Sequence, residues 1–290
     1  MSSLTARQRR LAAAFRTMRE AADLTQDQMV EQSGWSISKV YRLESGRFLR
    51  LNPADVLRWM DLCGVASEQT REVIKEIART PGRRGWWADY PDAFPTDYPG
   101  LEHDAIKIRE YHPTLIPGLL QTEGYAFAML RVALPGEPKK RIEQRVAARM
   151  ARKAVLEKEN PPELWVTIDE AALLREIGSV QVRREQSKVL HEMARRPGIT
   201  VQVCRFSDGA HPAVDGPFTL LEFPDQEDFD IAVLESLAGT LYVDDREAAS
   251  RFRAAYDHLA AGSASPTESR RLIEHAREKL GDDGTEGDLA

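Results

Sequence analysis

Residues 24–46, LTQDQMVEQSGWSISKVYRLESG, hold the local pattern that most restricts the fold. Thr25 is a good helix N-cap, with Asp27 and Gln28 in the first turn behind it. Gly34 predicts a tight turn, because glycine takes positive φ without steric cost. Ser36 caps a second short helix, and Lys39 holds its third position, so a plain cap is expected there and not a capping box. In that second helix Val40 and Leu43, at i and i+3, face the core. Ile37, Ser38, Tyr41 and Arg42 lie on other faces, as i,i+4 pairs Ile37–Tyr41 and Ser38–Arg42. Hydrogen-bonding and apolar groups thus stand together, as reading of base edges in a DNA major groove requires. A surface helix hairpin is the other reading of the same pattern.

The order T-Q, then Gly34, then S-x-S-K-V-x-R-L-E-x-G resembles the Cro/phage-repressor type of helix-turn-helix domain. By that resemblance Gln26 takes the place of the glutamine that contacts phosphate, and Ser36 lies near phosphate. Ile37, Ser38 and Arg42 lie near base edges, with Tyr41 on the same short helix. Lys39 and Arg47 take flanking phosphate positions, and Arg19 and Glu44 form an internal ion pair. Val30 stands where the family has alanine and Ser33 where it has an apolar residue, which implies a looser helix contact.

At 290 residues the chain suits two domains better than one. No N-terminal apolar run suits a signal peptide and no stretch of about 20 apolar residues suits a membrane span, so a cytoplasmic protein is expected. Cys63 and Cys204 lie far apart and outside any metal-ligand spacing, so ordinary thiols are expected, with no metal and no cofactor. The net charge of −6 argues against DNA binding until its distribution is considered. Residues 1–81 hold thirteen Lys/Arg against ten Asp/Glu, and the remainder is acidic. A modestly basic head on an acidic body can bind DNA through the head, with a salt-dependent affinity.

Residues 1–80 predict a five-helix domain. Helix 4–22 carries Leu11, Phe15 and Met18 as an apolar stripe, with Arg7, Arg9, Arg10 and Arg16 on a solvated face within reach of phosphate. Helix 53–63 starts at Pro53 and brings Val56, Leu57 and Met60 to the core. Helix 67–79 is capped by Ser67 and buries Val73, Ile74 and Ile77. Residues 81–100 are rich in proline and glycine, yet Trp86, Trp87, Tyr90, Phe94 and Tyr98 are too aromatic for a loose linker. A strap docked on the second domain is expected, with an aromatic ligand cage as the alternative.

Residues 101–281 predict an α+β domain with a mostly antiparallel sheet of about five strands. A helix is expected over LEHDAIKIREY, a helix from Thr122 and a long amphipathic helix over 138–158. Strands are expected at 163–168, 199–204, 217–223, 230–236 and 240–243, a helix at 179–195, and two closing helices at 246–260 and 266–280. The acidic tail, 282–290, is expected to be disordered.

Several segments of this second domain occur together in one large family of actinobacterial regulators: GWW, LEHDAIKIREYHPTLIPGLLQT, GYAFAMLR, RVAARMARKAVL, VTIDEAALLREIG and VQVCRFSDGAHPAVDGPFTLLEF. Their ordered series resembles the Scr-type, WhiJ-like regulators from Leu11 to about Leu272. The resemblance implies a repressor, antitoxin-like in its pairing, whose second domain of uncharacterised chemistry binds a small acidic co-encoded protein. Heads of this type imply a homodimer on an inverted repeat of double-stranded DNA. A one-component factor sensing a small molecule is the alternative, with Trp86, Trp87, Leu119, Gln121 and His211 as candidate ligand or partner contacts.

An enzyme is not expected. Glu102, His103 and Asp104 are successive and point in different directions. Asp169 and Glu170 follow a strand and suit a helix cap. His211 sits in a turn-rich loop and fits either a loop hydrogen bond or a ligand contact. There is no glycine-rich phosphate loop, no H-E-x-x-H and no nucleophile elbow. PGLLQT, 117–122, is either a rigid corner or the floor of a pocket.

Overall fold

The computed structural model describes residues 6–48, 51–79, 86–90, 92–94, 98–223 and 230–282. The expected disordered tail lies outside the described residues from 283 onward. The head holds α1 (Ala6–Ala21), α2 (Gln26–Ser33), α3 (Ile37–Glu44), α4 (Pro53–Leu62) and α5 (Glu68–Arg79). Leu11, Phe15, Met18, Met29, Val40 and Leu43 meet Val56, Trp59, Met60 and Ile74 in one core. Trp59 fills the centre, and its indole N–H donates to the Phe15 carbonyl at 3.1 Å, which satisfies its polar edge while the ring is buried. Leu57, expected in this core, is exposed. Trp59 and Met60 take that side of α4 instead.

Gly34 has φ of 72° and ends α2 in the left-handed conformation. Thr25 caps α2 as expected, and with Gln28 it forms a capping box, donor and acceptor reciprocated. At α3 the plain Ser36 cap accepts from the Lys39 amide at 3.3 Å.

The second domain runs α6 (Tyr98–Asp104), β1 (Lys107–His112), α7 (Glu123–Ala133), α8 (Lys139–Arg152), β2 (Glu163–Asp169), α9 (Glu170–Leu174) and α10 (Val180–Met193). It continues with β3 (Ile199–Cys204), β4 (Phe218–Glu222), β5 (Ile231–Ser236), β6 (Gly239–Val243), α11 (Arg246–Gly262) and α12 (Pro266–Asp282). The six strands lie in the order β3-β2-β1-β4-β5-β6. Pairs β1–β2 and β2–β3 are parallel, and β1–β4, β4–β5 and β5–β6 are antiparallel.

This corrects the expected five-stranded, mostly antiparallel sheet in two ways. The helix expected over LEHDAIKIREY ends at Asp104, and its second half is the strand β1 at the middle of the sheet. The parallel half follows from the connections: α7 and α8 carry the chain from β1 to β2, and α9 and α10 carry it from β2 to β3. Crossovers of that length are what parallel neighbours need. The long helix expected over 138–158 also stops at Arg152, and a 3-10 turn covers Lys153–Glu157.

Alternation along the strands sends Ile108, Val166, Val201, Leu221 and Val233 to one face, into the main core with Leu190 of α10 and Ile273 of α12. The opposite face sends Tyr111, Cys204 and Phe218 against Tyr256 and Leu259 of α11. Helices therefore cover both faces. The arginines expected on a solvated face of α1 instead meet the second domain. Arg9 lies over the Tyr242 ring at 3.7 Å, and Arg10 lies over Phe223 at 4.4 Å and 3.5 Å from Asp104. Arg16 pairs with Asp244 at 2.7 Å. These charges have protein partners, which removes the reason to assign Arg9, Arg10 and Arg16 to phosphate; the Arg7 side chain lies outside the described residues.

Candidate nucleic-acid interface and a buried polar pocket

The face of α3 opposite Val40 and Leu43 carries Ile37, Ser38, Tyr41 and Arg42, all exposed. Ile37 is 48% and Tyr41 49% exposed, an apolar pair one turn apart. Arg42 donates from Nε to the Ser38 carbonyl at 3.3 Å, which holds its side chain along the helix. The Arg47 guanidinium lies 5.9 Å from the Tyr41 ring centre. Lys39 is differently placed: its Nζ pairs with Asp55 at 2.7 Å and lies over Trp35 at 4.2 Å. That ammonium links α3 to α4, so a phosphate would have to compete with Asp55 for it.

Gln26, Arg19 and Glu44 form one cluster. Arg19 Nε donates to Glu44 Oε1 at 2.5 Å, Arg19 Nη1 to the Leu24 carbonyl at 2.7 Å, and Gln26 Nε2 to Glu44 Oε2 at 2.6 Å. The Glu44 carboxylate is thus buried with both oxygens bonded, and it ties α1, α2 and α3 together at the base of the exposed face.

In the second domain, β1, α8 and the segment 114–121 enclose a cavity of about 270 Å³. Strand alternation puts Glu110 on the same face as Ile108, so a carboxyl group enters the main-core side of the sheet, opposite Val166 and Thr219. On α8, Arg149 and Arg152 are three apart and share a face. Arg152 is engaged through two of its nitrogens: Nε and Nη2 each reach Glu102 at 2.6 Å, and Nη2 lies 3.4 Å from the Tyr98 hydroxyl. Arg149 Nη1 donates to Gln121 Oε1 at 2.7 Å, and Gln121 Nε2 donates to the Ile116 carbonyl at 2.7 Å. Among the described residues, Arg149 has no carboxylate within 4.0 Å, and Glu110 Oε2 is buried without a hydrogen-bond partner. Glu110 Oε1 lies 3.9 Å from Arg152, and Oε2 lies 3.8 Å from His112 Nε2.

Burial pushes the Glu110 carboxyl up to about 8, against the pull of Arg152. Burial and then the positive charges of Arg152 and Arg149 push His112 down to about 4. Burial, then Arg152, lowers Arg149 to about 10. The linkage signs are opposite. Glu110 keeps its proton in the folded state while the unfolded chain loses it, so its contribution falls as pH rises from about 4.5 to about 8. His112 contributes above its ordinary value of 6.5 and loses that contribution as pH falls toward 4. Of these two groups, only Glu110 changes between pH 6.5 and 8. Urea melts across that window are expected to show stability falling with pH in the unaltered chain and a flatter profile in Glu110→Gln. Parallel profiles would remove Glu110 as the source.

The other candidates scatter. Leu119 is fully buried and packs in the main core. Gln121 does line the cavity. Trp86 packs edge-on against Trp87, Tyr90 and Phe94, and Asp92 beside them meets Arg141 of α8 at 3.4 Å. Glu102, His103 and Asp104 close α6 instead of opening a helix, with Glu102 on Arg152 and Asp104 facing Arg10. Asp169 accepts from the Ala171 amide at 2.8 Å as the cap of α9. His211 lies on the opposite sheet face from Glu110, its Nε2 3.2 Å from the Tyr111 hydroxyl and its Nδ1 buried without a hydrogen-bond partner among the described residues. One atom each from Asp169, Cys204 and His211 falls within 4.8 Å of the others. Burial raises the Cys204 thiol, which keeps its proton at neutral pH, and Asp169 is committed to its cap.

Sequence reasoning missed Glu110, His112, Arg149 and Arg152. The available signal was the alternation in KIREYH, where Ile108 and Glu110 share a strand face.

Residues 10–73 match the family described as a helix-turn-helix domain, and residues 95–275 match the family described as a domain of unknown function, DUF5753. No curated protein and no solved structure matches the chain. Among the described residues, no helix is long and apolar enough to cross a membrane. The larger match takes in the whole six-stranded sheet and the cavity beside β1, over more than half of the chain, and the chain belongs to the DUF5753 family, with a helix-turn-helix domain ahead of it.

Proposed function

We propose that the chain is a sequence-specific transcriptional regulator that represses by placing α3 in the major groove of double-stranded DNA. One observation carries this reading: Ile37, Ser38, Tyr41 and Arg42 stand exposed on one face of a helix whose other face is locked into the core. A serine, a guanidinium and two apolar groups can address base edges and thymine methyls from that face. Ser36, Arg47 and Gln26 border it and supply phosphate contacts, with Lys39 after release from Asp55. The helix-turn-helix match fits a regulator better than an enzyme. The likeness to WhiJ-like regulators supports a homodimer on an inverted repeat and an antitoxin-like pairing of the second domain with a small acidic co-encoded protein.

Arg42→Ala is expected to cost about 1–3 kcal/mol of specific binding and to relax selectivity at one base position. Affinity is read by mobility shift at fixed salt on the preferred and a scrambled duplex. Unchanged specific affinity in this variant would take Arg42 out of the readout. A footprint on a single half-site would contradict the dimer.

A second reading has its own observation. The cavity beside β1 holds a buried Glu110 oxygen with no hydrogen-bond partner among the described residues, beside the Arg149 guanidinium, as a small-molecule effector site does. The second domain then receives a metabolite in place of, or beside, a protein.

A further inference from the structure

The cavity beside β1 has an internal imbalance. Arg152 and Glu102 neutralise one another through two short bonds, which leaves Arg149 and Glu110. Both line the same space, and no salt bridge joins them. Arg149 spends one N–H on Gln121 and, among the described residues, has no carboxylate within 4.0 Å, Glu235 acting on it only from farther off. Glu110 is 1% exposed, with Oε2 unbonded among the described residues. Such groups are costly to bury unless something answers them. A ligand with one charge answers one of them and leaves the other as it was.

We propose that this cavity binds a small zwitterion, an amino-carboxylate whose carboxylate pairs with Arg149 and whose ammonium pairs with Glu110. A guanidinium suits a carboxylate through two parallel N–H···O bonds. The ammonium supplies donors to the unbonded Glu110 oxygen, and the ligand brings no net charge into the buried space. Glu235, at the exposed end of β5, lines the same cavity and adds a second acceptor for the ammonium. Leu115, Ile116 and Met129 give an apolar wall for the rest of the ligand. At about 270 Å³ the space lies just below the roughly 300–1,000 Å³ of drug-sized sites, which restricts the ligand to amino-acid dimensions. Burial holds Glu110 protonated in the empty site, so an ammonium that ionises it releases a proton on binding.

This inference rests on the reading of the cavity as an effector site and is independent of DNA binding. The test uses the full chain. Each of the twenty standard amino acids is titrated at neutral pH by calorimetry and by thermal shift. Any binder is compared with its amine, lacking the carboxylate, and with its carboxylic acid, lacking the amine. At least one amino acid is expected to bind saturably and to raise the melting temperature, with both truncated forms weaker by tenfold or more. In Arg149→Gln the amino acid and its amine are expected to bind alike. In Glu110→Gln the amino acid is expected to keep only the small advantage over its carboxylic acid that the exposed Glu235 supplies. A merely structural role for either residue would not produce those paired losses. A carboxylic acid or an amine as tight as the amino acid would keep the effector site and overturn the zwitterion. No binding by any amino acid, amine or acid in the panel would overturn both. The three ligand forms on the unaltered chain decide the matter even where a variant fails to fold.

Discussion

Arg152→Ala is expected to destabilise the second domain by about 3–5 kcal/mol, the range for removing one partner of a buried ion pair. The side chain does more than meet Glu102. It is also the nearest cation to Glu110, at 3.9 Å, and it bonds the Tyr98 hydroxyl and lies 4.9 Å from that ring. Without it two carboxyl groups remain buried, each about 1% exposed, and among the described residues neither has another arginine or lysine within 4.0 Å. Loss of the planar side chain also opens space between α6, α8 and the sheet. The domain is expected to melt well below the unaltered chain while the head's transition stays in place. The double replacement Arg152→Met with Glu102→Met is expected to cost far less than either single change, since both charges leave together. Additive losses in that cycle would show that packing, and not charge, holds α8 against α6.

The second large effect is expected in the head. Glu44→Ala removes the acceptor of Arg19 and of Gln26 together. The Arg19 guanidinium keeps the Leu24 carbonyl and the exposed Glu20 carboxylate, but it loses its buried partner. The loss is expected to be about 3–5 kcal/mol of head stability, with DNA binding lost because α3 is no longer pinned to α1 and α2. Calorimetry should show the head's transition alone moving down. A head that melts normally and binds normally would make this cluster a surface ion pair of small worth.

The head was legible in the sequence because its determinants are local. Thr25, Gly34 and Ser36 act within a few residues of themselves, and the spacing of Val40 and Leu43 is set by the helix period alone. Strand β1 was not legible for the opposite reason. Lys107, Arg109 and Glu110 read as the charged side of a helix, yet their partners are remote in sequence. Lys107 meets Glu163 at 3.0 Å, and Arg109 meets Glu222 and Asp257. No local pattern announces a carboxylate that a distant α8 arginine makes tolerable. The arginines of α1 were misplaced for the same reason, since Asp104, Phe223, Tyr242 and Asp244 lie far along the chain. The strand–helix–strand order over 163–204 did carry the signal for parallel pairing, and the antiparallel expectation overlooked it. Of the five candidate ligand or partner contacts, Gln121 reached the cavity because it ends the Pro117–Gly118 corner. Leu119, two residues earlier, faces the core.

The most direct test of the central claim is a selection of duplex DNA from a randomised library by the purified full chain at fixed salt, run beside Arg42→Ala. The expected result is enrichment of one inverted repeat by the unaltered chain, bound with an affinity that falls steeply as salt rises, and relaxed or lost enrichment by the variant. No enriched sequence, or the same sequence enriched equally by both proteins, would contradict a regulator that reads DNA through α3.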